Sequence, residues 1–172
     1  MTRKARWFWP LALVLSCTDC ATKRAVERSL DPGIPQPVVG DVVRLTLSYN
    51  PEAAMGIGLG RGGGDGRLVL AALSCAALVV LVVVYRRTGP ADRRRAVGVA
   101  LLVGGAVGNL IDRLRSPAGV VDFIDIGIGQ ARFWTFNVAD VGITAGAIVL
   151  LIAYGRWSAG QGRGLSGSPP GR

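Results

Sequence analysis

Residues 68–85 read LVLAALSCAALVVLVVVY, a stretch without a single charge, with Arg67 before it and Arg86 and Arg87 after it. A helix rises 1.5 Å per residue, so about 20 residues cross the roughly 30 Å of hydrocarbon in a bilayer. An apolar run of this length closed at both ends by arginine is a membrane span, and it decides the fold class. The chain has 172 residues, 50% of them hydrophobic, and the rest of the apolar sequence is distributed in the same way. Residues 7–23, 96–114 and 137–154 read as three more spans, which leaves too little chain for a soluble core. The expectation is a membrane protein, mainly α, with four transmembrane helices. The third span carries Gly98, Gly104, Gly105 and Gly108, which suits close helix packing in lipid.

The connections carry strand signals. Residues 24–67 form an outer loop too long for a plain connector. Within it Asp41-Val42-Val43-Arg44-Leu45-Thr46-Leu47-Ser48-Tyr49 is β-branched and partly alternating. Residues 120–126 and 132–136 read as two further short strands, and together these predict a small β-sheet on the outer membrane surface. Residues 1–157 make a single integral membrane domain. The Gly/Ser/Pro-rich residues 158–172 read as a disordered cytoplasmic tail.

The formal net charge is +9, but the arginines cluster at the ends of apolar runs, which points to topology, and no nucleic-acid partner is expected. Arg3, Lys4 and Arg6, then Arg86, Arg87, Arg93, Arg94 and Arg95, then Arg156, Arg163 and Arg172 mark the cytoplasmic side. The other two connections face out, so both termini lie inside. The order of basic residues followed by apolar ones at the start, with Val14-Leu15-Ser16-Cys17, has the outline of a signal sequence with a poor lipoprotein box. The helical pattern runs on past Cys17, so the segment reads as an uncleaved span. Cys17 and Cys20 form a CxxC inside an apolar helix, where they read as small apolar fillers and not as a redox pair.

Histidine is absent, which excludes Ser/His and Cys/His nucleophiles and histidine relays. Acid/base chemistry then falls to carboxylates or lysine, and charged residues in a span are functional candidates because each costs a few kcal/mol to insert. Asp19 and Lys23 lie four apart on one helix face and can pair. Asn109 and Arg113 are likewise four apart, with Asp112 beside them, and Asn137 and Asp140 share a face around the small Ala139. Asp122 interrupts an apolar stretch, Val120-Val121-Asp122-Phe123-Ile124. Two carboxylates in low-dielectric surroundings suggest an aspartyl pair sharing a proton, one activating water and the other protonating a peptide carbonyl. The same pair could relay protons in a transporter, and spacing does not separate the two. A serine/lysine peptidase with Lys23 as base is a further reading. It would need Ser48, since Ser16 lies about 10 Å from Lys23 along the same helix.

Five blocks, in this order, resemble the lipoprotein signal peptidases (signal peptidase II). They are Asp19-Cys20-Ala21-Thr22-Lys23, Asn50-Pro51-Glu52-Ala53-Ala54-Met55, the stretch from Gly104 to Arg113, Val120-Val121-Asp122-Phe123, and Phe136-Asn137-Val138-Ala139-Asp140. The resemblance implies an aspartic endopeptidase of the bacterial inner membrane that cuts prolipoproteins before a cysteine carrying diacylglycerol. It further implies Asp122 and Asp140 as the catalytic dyad near the periplasmic face. Asp19, Lys23, Asn50, Gly108, Asn109, Arg113, Asn137 and Ala139 are implied as residues that position substrate, lipid or the dyad. A periplasmic β-sheet cradle, a prolipoprotein substrate, membrane lipid as partner, a monomer, and neither metal nor cofactor complete the expectation. One departure stands out: Glu52 and Met55 occupy places where the family has glycine and phenylalanine. A specialised paralogue with a narrowed substrate range is therefore an alternative.

Overall fold

The computed structural model describes residues 3–51 and 64–164. Four helices are present, α1 (Arg3–Ser29), α2 (Gly64–Arg87), α3 (Arg93–Arg115) and α4 (Val138–Gly164). Strands β1 (Gln36–Val39) and β2 (Val43–Asn50) lie between α1 and α2, and β3 (Val120–Ile128) and β4 (Ala131–Arg132) between α3 and α4. Among the described residues three helical stretches are long and apolar enough to cross a membrane: Gly66–Arg87, Arg93–Arg115 and Val138–Gly155, with mean hydropathies of 2.9, 1.5 and 1.9. The molecule is an integral membrane protein. At 27 residues α1 has the length of a span, but its second half carries Asp19, Lys23, Arg24, Glu27 and Arg28, so hydropathy alone supports three spans and not the four expected.

α3 is the central helix, packed against α1, α2 and α4. The small residues foreseen in its sequence make the approach close: a Cβ added to Gly146 of α4 would stand 2.8 Å from the carbonyl oxygen of Gly98. α3 starts where the Asp92 side chain accepts the Arg95 N–H at 3.0 Å, which satisfies one of the orphan donors of a helix N-terminus. α4 continues to Gly164, into the stretch 158–172 read as disordered. Glycines there weaken the helix without removing an N–H, and the first proline that would stop it is Pro169. Residues 165–172 lie outside the described residues, as do Glu52, Ala53, Ala54 and Met55.

The sheet has the antiparallel order β1-β2-β3-β4. The strand expected over 41–49 is β2, the one over 120–126 is β3, and β1 is an addition. The expected strand over 132–136 shrinks to β4 and a single bridge between Phe136 and Ile124. Val26 of α1, Leu47, Val121 and Phe123 form a buried apolar cluster that seats the sheet on the end of the bundle away from Arg3. A second cluster of Phe8, Ala12, Val99 and Ala100 closes the opposite end.

Candidate active site

β3 and the start of α4 bring together residues distant in sequence. Ser48 pairs with Asp122 and Asn50 with Val120, after a register shift between Leu45 and Ser48. A bulge of this kind twists the strand and re-aims the side chains beyond it. It leaves Asn50 diagonal to Asp122, within reach on one face, and Asn50 Nδ2 donates to Asp122 Oδ2 at 3.2 Å. On the other edge of β3 the N–H groups of Phe123 and Ile124 both donate to the Phe136 carbonyl, at 3.0 and 2.8 Å. That clasp delivers Asn137, the residue before α4, to the side of Asp122.

Asn137 and Asp140 form a reciprocal cap. Asp140 N–H donates to Asn137 Oδ1 at 3.0 Å, and Asn137 N–H donates to Asp140 Oδ2 at 3.2 Å, so two orphan donors of the helix end are satisfied together. The amide of Asn137 then donates to Asp122 Oδ1 at 2.7 Å and to Asn109 Oδ1 at 3.1 Å. Asn109 Nδ2 donates to Asp140 Oδ1 at 2.9 Å. Each of the four carboxylate oxygens of Asp122 and Asp140 thus accepts at least one hydrogen bond, from Asn50, Asn109 or Asn137.

Both carboxylates line one cavity of about 710 Å³, together with Asn50, Asn109 and Arg113. Phe133, Trp134 and Phe136, and Ser74 and Ala77 of α2, also line it. Asp122 is 3% exposed. Burial first, and next the charge of Asp140, push its carboxyl from 3.8 up to about 6, against the opposing hydrogen bonds from Asn50 and Asn137. Asp122 therefore holds a proton well above the usual carboxylate range.

Beneath the two aspartates lies a buried polar hub. Lys23 is 1% exposed and its ammonium contacts Asp19 Oδ2 at 2.7 Å, Asp112 Oδ2 at 2.8 Å and Asn109 Oδ1 at 2.8 Å. The pairing of Asp19 with Lys23 expected from their spacing is present. Ala139 N–H donates to Asp19 Oδ1 at 2.8 Å. A Cβ on Gly108 would collide with Asp19 Oδ2, so only glycine lets this carboxylate pass between α3 and α4. Arg113 donates to the Asn109 carbonyl at 3.3 Å and lines the cavity. The ten residues singled out by sequence all gather here, in the cavity wall or the hub. Asp112 was not among them, although it is 2% exposed; its spacing of three from Asn109 puts it on the same face of α3 and was the available signal.

The serine/lysine arrangement does not form. A lysine ammonium has three donors, and those of Lys23 go to Asp19, Asp112 and Asn109, while Ser16 Oγ donates to the carbonyls of Ala12 and Gly104 at 3.0 and 2.9 Å. Asp125 points away from Asp122 toward Thr46 and Arg132, its Oδ1 accepting from Arg132 Nε at 2.7 Å, as period-two alternation requires of residues three apart.

A helical membrane body with two asparagine-held carboxylates in one cavity is the architecture of a membrane-embedded aspartic peptidase. The comparisons with known proteins agree: the sequence profile of Signal peptidase (SPase) II matches residues 11–155, and the chain belongs to that family. It is 34% identical over 155 residues to the lipoprotein signal peptidase of Coxiella burnetii (strain Dugway 5J108-111), covering 88% of this chain and 93% of the relative. It is 36% identical over 147 residues to that of Geobacillus kaustophilus (strain HTA426), covering 85% and 90%. Two solved bacterial membrane enzymes, both determined by the in meso method, superpose on it. One has a TM-score of 0.71 at 30% identity, covering 84% of this chain and 89% of its own. The other has a TM-score of 0.75 at 26% identity, covering 94% and 92%.

Proposed function

We propose that the protein is the peptidase that removes signal peptides from diacylglyceryl-modified prolipoproteins, cutting immediately before the lipidated cysteine, with Asp122 and Asp140 as its catalytic dyad. The observation that carries this reading is that both aspartates face one cavity and are held there by the same asparagine, Asn137. Water between the carboxylates loses a proton to Asp140 and attacks the peptide carbonyl. Asp122, which retains its proton to about pH 6, donates to the carbonyl oxygen, and the proton taken up by Asp140 passes to the leaving nitrogen. As the C–N bond breaks, a hydroxyl of the gem-diol returns its proton to Asp122 and becomes the product carbonyl, so the dyad again holds one proton. Asn50, Asn109 and Asn137 hold the dyad, Gly108 and Ala139 leave room for Asp19, and Arg113 offers the cavity its charge. A proton-coupled transporter would give the asparagine frame no such task.

In this reading the chain sits in the bacterial inner membrane as one domain of four spans, with its termini cytoplasmic and its site at the periplasmic face. Cation–aromatic contacts favour α1 as the fourth span. Lys4 lies over Tyr85 at 4.6 Å, Arg93 over Trp7 at 3.9 Å and Arg95 over Tyr154 at 4.4 Å, which gathers the ends of all four helices at one level. The other end of α1 packs through Val26 against the sheet, so α1 runs between the same two levels as α4. The wide exposure of Trp7, Trp9, Leu13 and Val14 suits a lipid-facing surface, and the chain is read as a monomer. The test is incubation of the purified protein in detergent with a diacylglyceryl-modified prolipoprotein, read by gel shift. Conversion to the mature form supports the reading, and no conversion by folded protein refutes it.

A further inference from the structure

The hub beneath the site has a symmetry that its distances bring out. Asp112 Oδ2 accepts the N–H of Val121 at 3.2 Å, and Val121 is the residue directly before Asp122. Asp19 Oδ1 accepts the N–H of Ala139 at 2.8 Å, and Ala139 is the residue directly before Asp140. Both carboxylates are bound to the single ammonium of Lys23, at 2.8 and 2.7 Å. Three elements that carry nothing in common in sequence, α1, α3 and the strand β3, are thereby joined to the first turn of α4 through one cation.

Taking Asp122 and Asp140 as the dyad, we propose that Asp112 is a positioning residue for the reaction. It fixes Asp122 through the Val121 amide, as Asp19 fixes Asp140 through the Ala139 amide, and Lys23 locks the two anchors together so that the separation of the dyad is set from below. Backbone amides are the natural handle for such a device, because they move with the main chain and leave the catalytic carboxylates free to exchange protons. The anchors are as buried as the core, with Asp19 at 0%, Lys23 at 1% and Asp112 at 2% exposure, so water does not compete for their bonds. Two anions share one ammonium, and Arg115 Nη2 reaches Asp112 Oδ1 at 3.4 Å. Loss of one carboxylate charge consequently leaves Lys23 with Asp19, and Arg115 with Glu27 at 2.9 Å, so no buried cation is stranded and the fold is retained.

The experiment is steady-state cleavage of a diacylglyceryl-modified prolipoprotein by full-length Asp112→Asn in detergent, beside Asp125→Asn and Asp122→Asn. Asparagine at 112 gives up the charge that holds Lys23. A misplaced reacting group loses turnover by about 10- to 100-fold without weakening substrate binding, so the expected result is that drop in kcat with KM within about twofold. Asp125→Asn breaks a comparably short ion pair, 2.7 Å to Arg132 on the strand that carries Asp122, and controls for stability. If Asp112→Asn keeps the kcat of Asp125→Asn at matched folded fraction, the residue is structural and the proposal is overturned. If Asp122→Asn cleaves at the wild-type rate, the dyad assignment itself fails, which is a separate outcome. Should Asp112→Asn not accumulate, replacing Val121 by its α-hydroxy acid removes the N–H that Asp112 accepts and otherwise only weakens the Val120 carbonyl as an acceptor. The same loss of kcat then supports the proposal, and wild-type turnover overturns it.

Discussion

The amide nitrogen of Asn137 lies 2.7 Å from Oδ1 of Asp122, although Asn137 caps the helix that carries Asp140. Its oxygen caps that helix and its nitrogen holds the strand, so one side chain serves stability and geometry through different atoms. Serine at 137 keeps an oxygen for the cap and loses the nitrogen. Asn137→Ser should melt within about 1 kcal/mol of wild type while losing roughly 10- to 100-fold in kcat. Asn137→Ala should lose both. Equal stability loss in the two variants, measured by thermal unfolding in detergent, would remove the cap from this account.

The dyad should behave as a unit. Asp122→Asn and Asp140→Asn preserve shape but remove the shared proton, and each should lose roughly a thousandfold or more in turnover. Members of one catalytic unit are not additive, so the double variant should be scarcely slower than either. Asp125→Asn, whose side chain faces Arg132 and Thr46, should remain active. A near wild-type rate for Asp122→Asn in the prolipoprotein gel-shift assay would move the chemistry elsewhere.

The pH dependence has a defined sign. Asp122 is pushed from 3.8 up to about 6, so the folded state keeps a proton that the unfolded chain has lost between those values. Its contribution to stability is present below 3.8 and is lost as pH rises toward 6. The proposed mechanism needs the protonated acid for turnover, so it predicts that the alkaline limb of kcat follows Asp122. The hydrogen bond from Asn50 lowers this pKa by favouring the charged form. Asn50→Ala should therefore move the alkaline limb to higher pH, and a shift to lower pH in the kcat profile would contradict the assignment of Asp122 as the proton holder.

Much of this was legible in sequence because the bilayer imposes simple rules. Span length follows from hydrocarbon thickness, and β2 and β3 betray themselves by their β-branched residues. β1 was missed because Pro37 breaks a four-residue run, and proline is tolerated there only because the strand is an edge. The stretch 158–172 reads as disordered from its Gly/Ser/Pro composition, a signal blind to helix, and α4 enters it as far as Gly164, with 165–172 outside the described residues. Asp19 with Lys23, and Asn137 with Asp140, were within one turn of each other and so visible as pairs. The bond of Lys23 to Asp112 depends on how α1 docks on α3, and no local spacing encodes that. The same holds for the amides of Val121 and Ala139, whose capture is a tertiary relationship between backbone and side chain.

The final prediction concerns α1, whose hydropathy is the weakest of the four helices. Isolated charges cost a few kcal/mol each in a bilayer, and Asp19 and Lys23 would argue against a span if they faced lipid. They face each other and Asp112 instead, at 0%, 1% and 2% exposure, while Leu13 and Val14 are exposed and Arg24 and Arg28 lie on the surface toward the end of the helix. Arginine flanks predict an orientation: Arg3, Lys4 and Arg6 lie at the start of α1, and Arg86, Arg87, Arg93, Arg94 and Arg95 flank the connection from α2 to α3. Reporter fusions after Arg87 and after Tyr154 should therefore report cytoplasm, and fusions at Asp31 and near Asp65 should report the outer side. A tag on the N-terminus is the discriminating probe, because residues 31 and 65 share one side with or without a crossing α1, whereas only a crossing α1 puts the N-terminus in the cytoplasm. An N-terminal tag accessible from outside, with an outer signal near Asp65, would leave three spans. Protection of that tag is the expected result of the four-span reading, which the bonds from Asp19 to Ala139 and from Lys23 to Asn109, at 2.8 Å each, support by holding the second half of α1 beside α3 and α4.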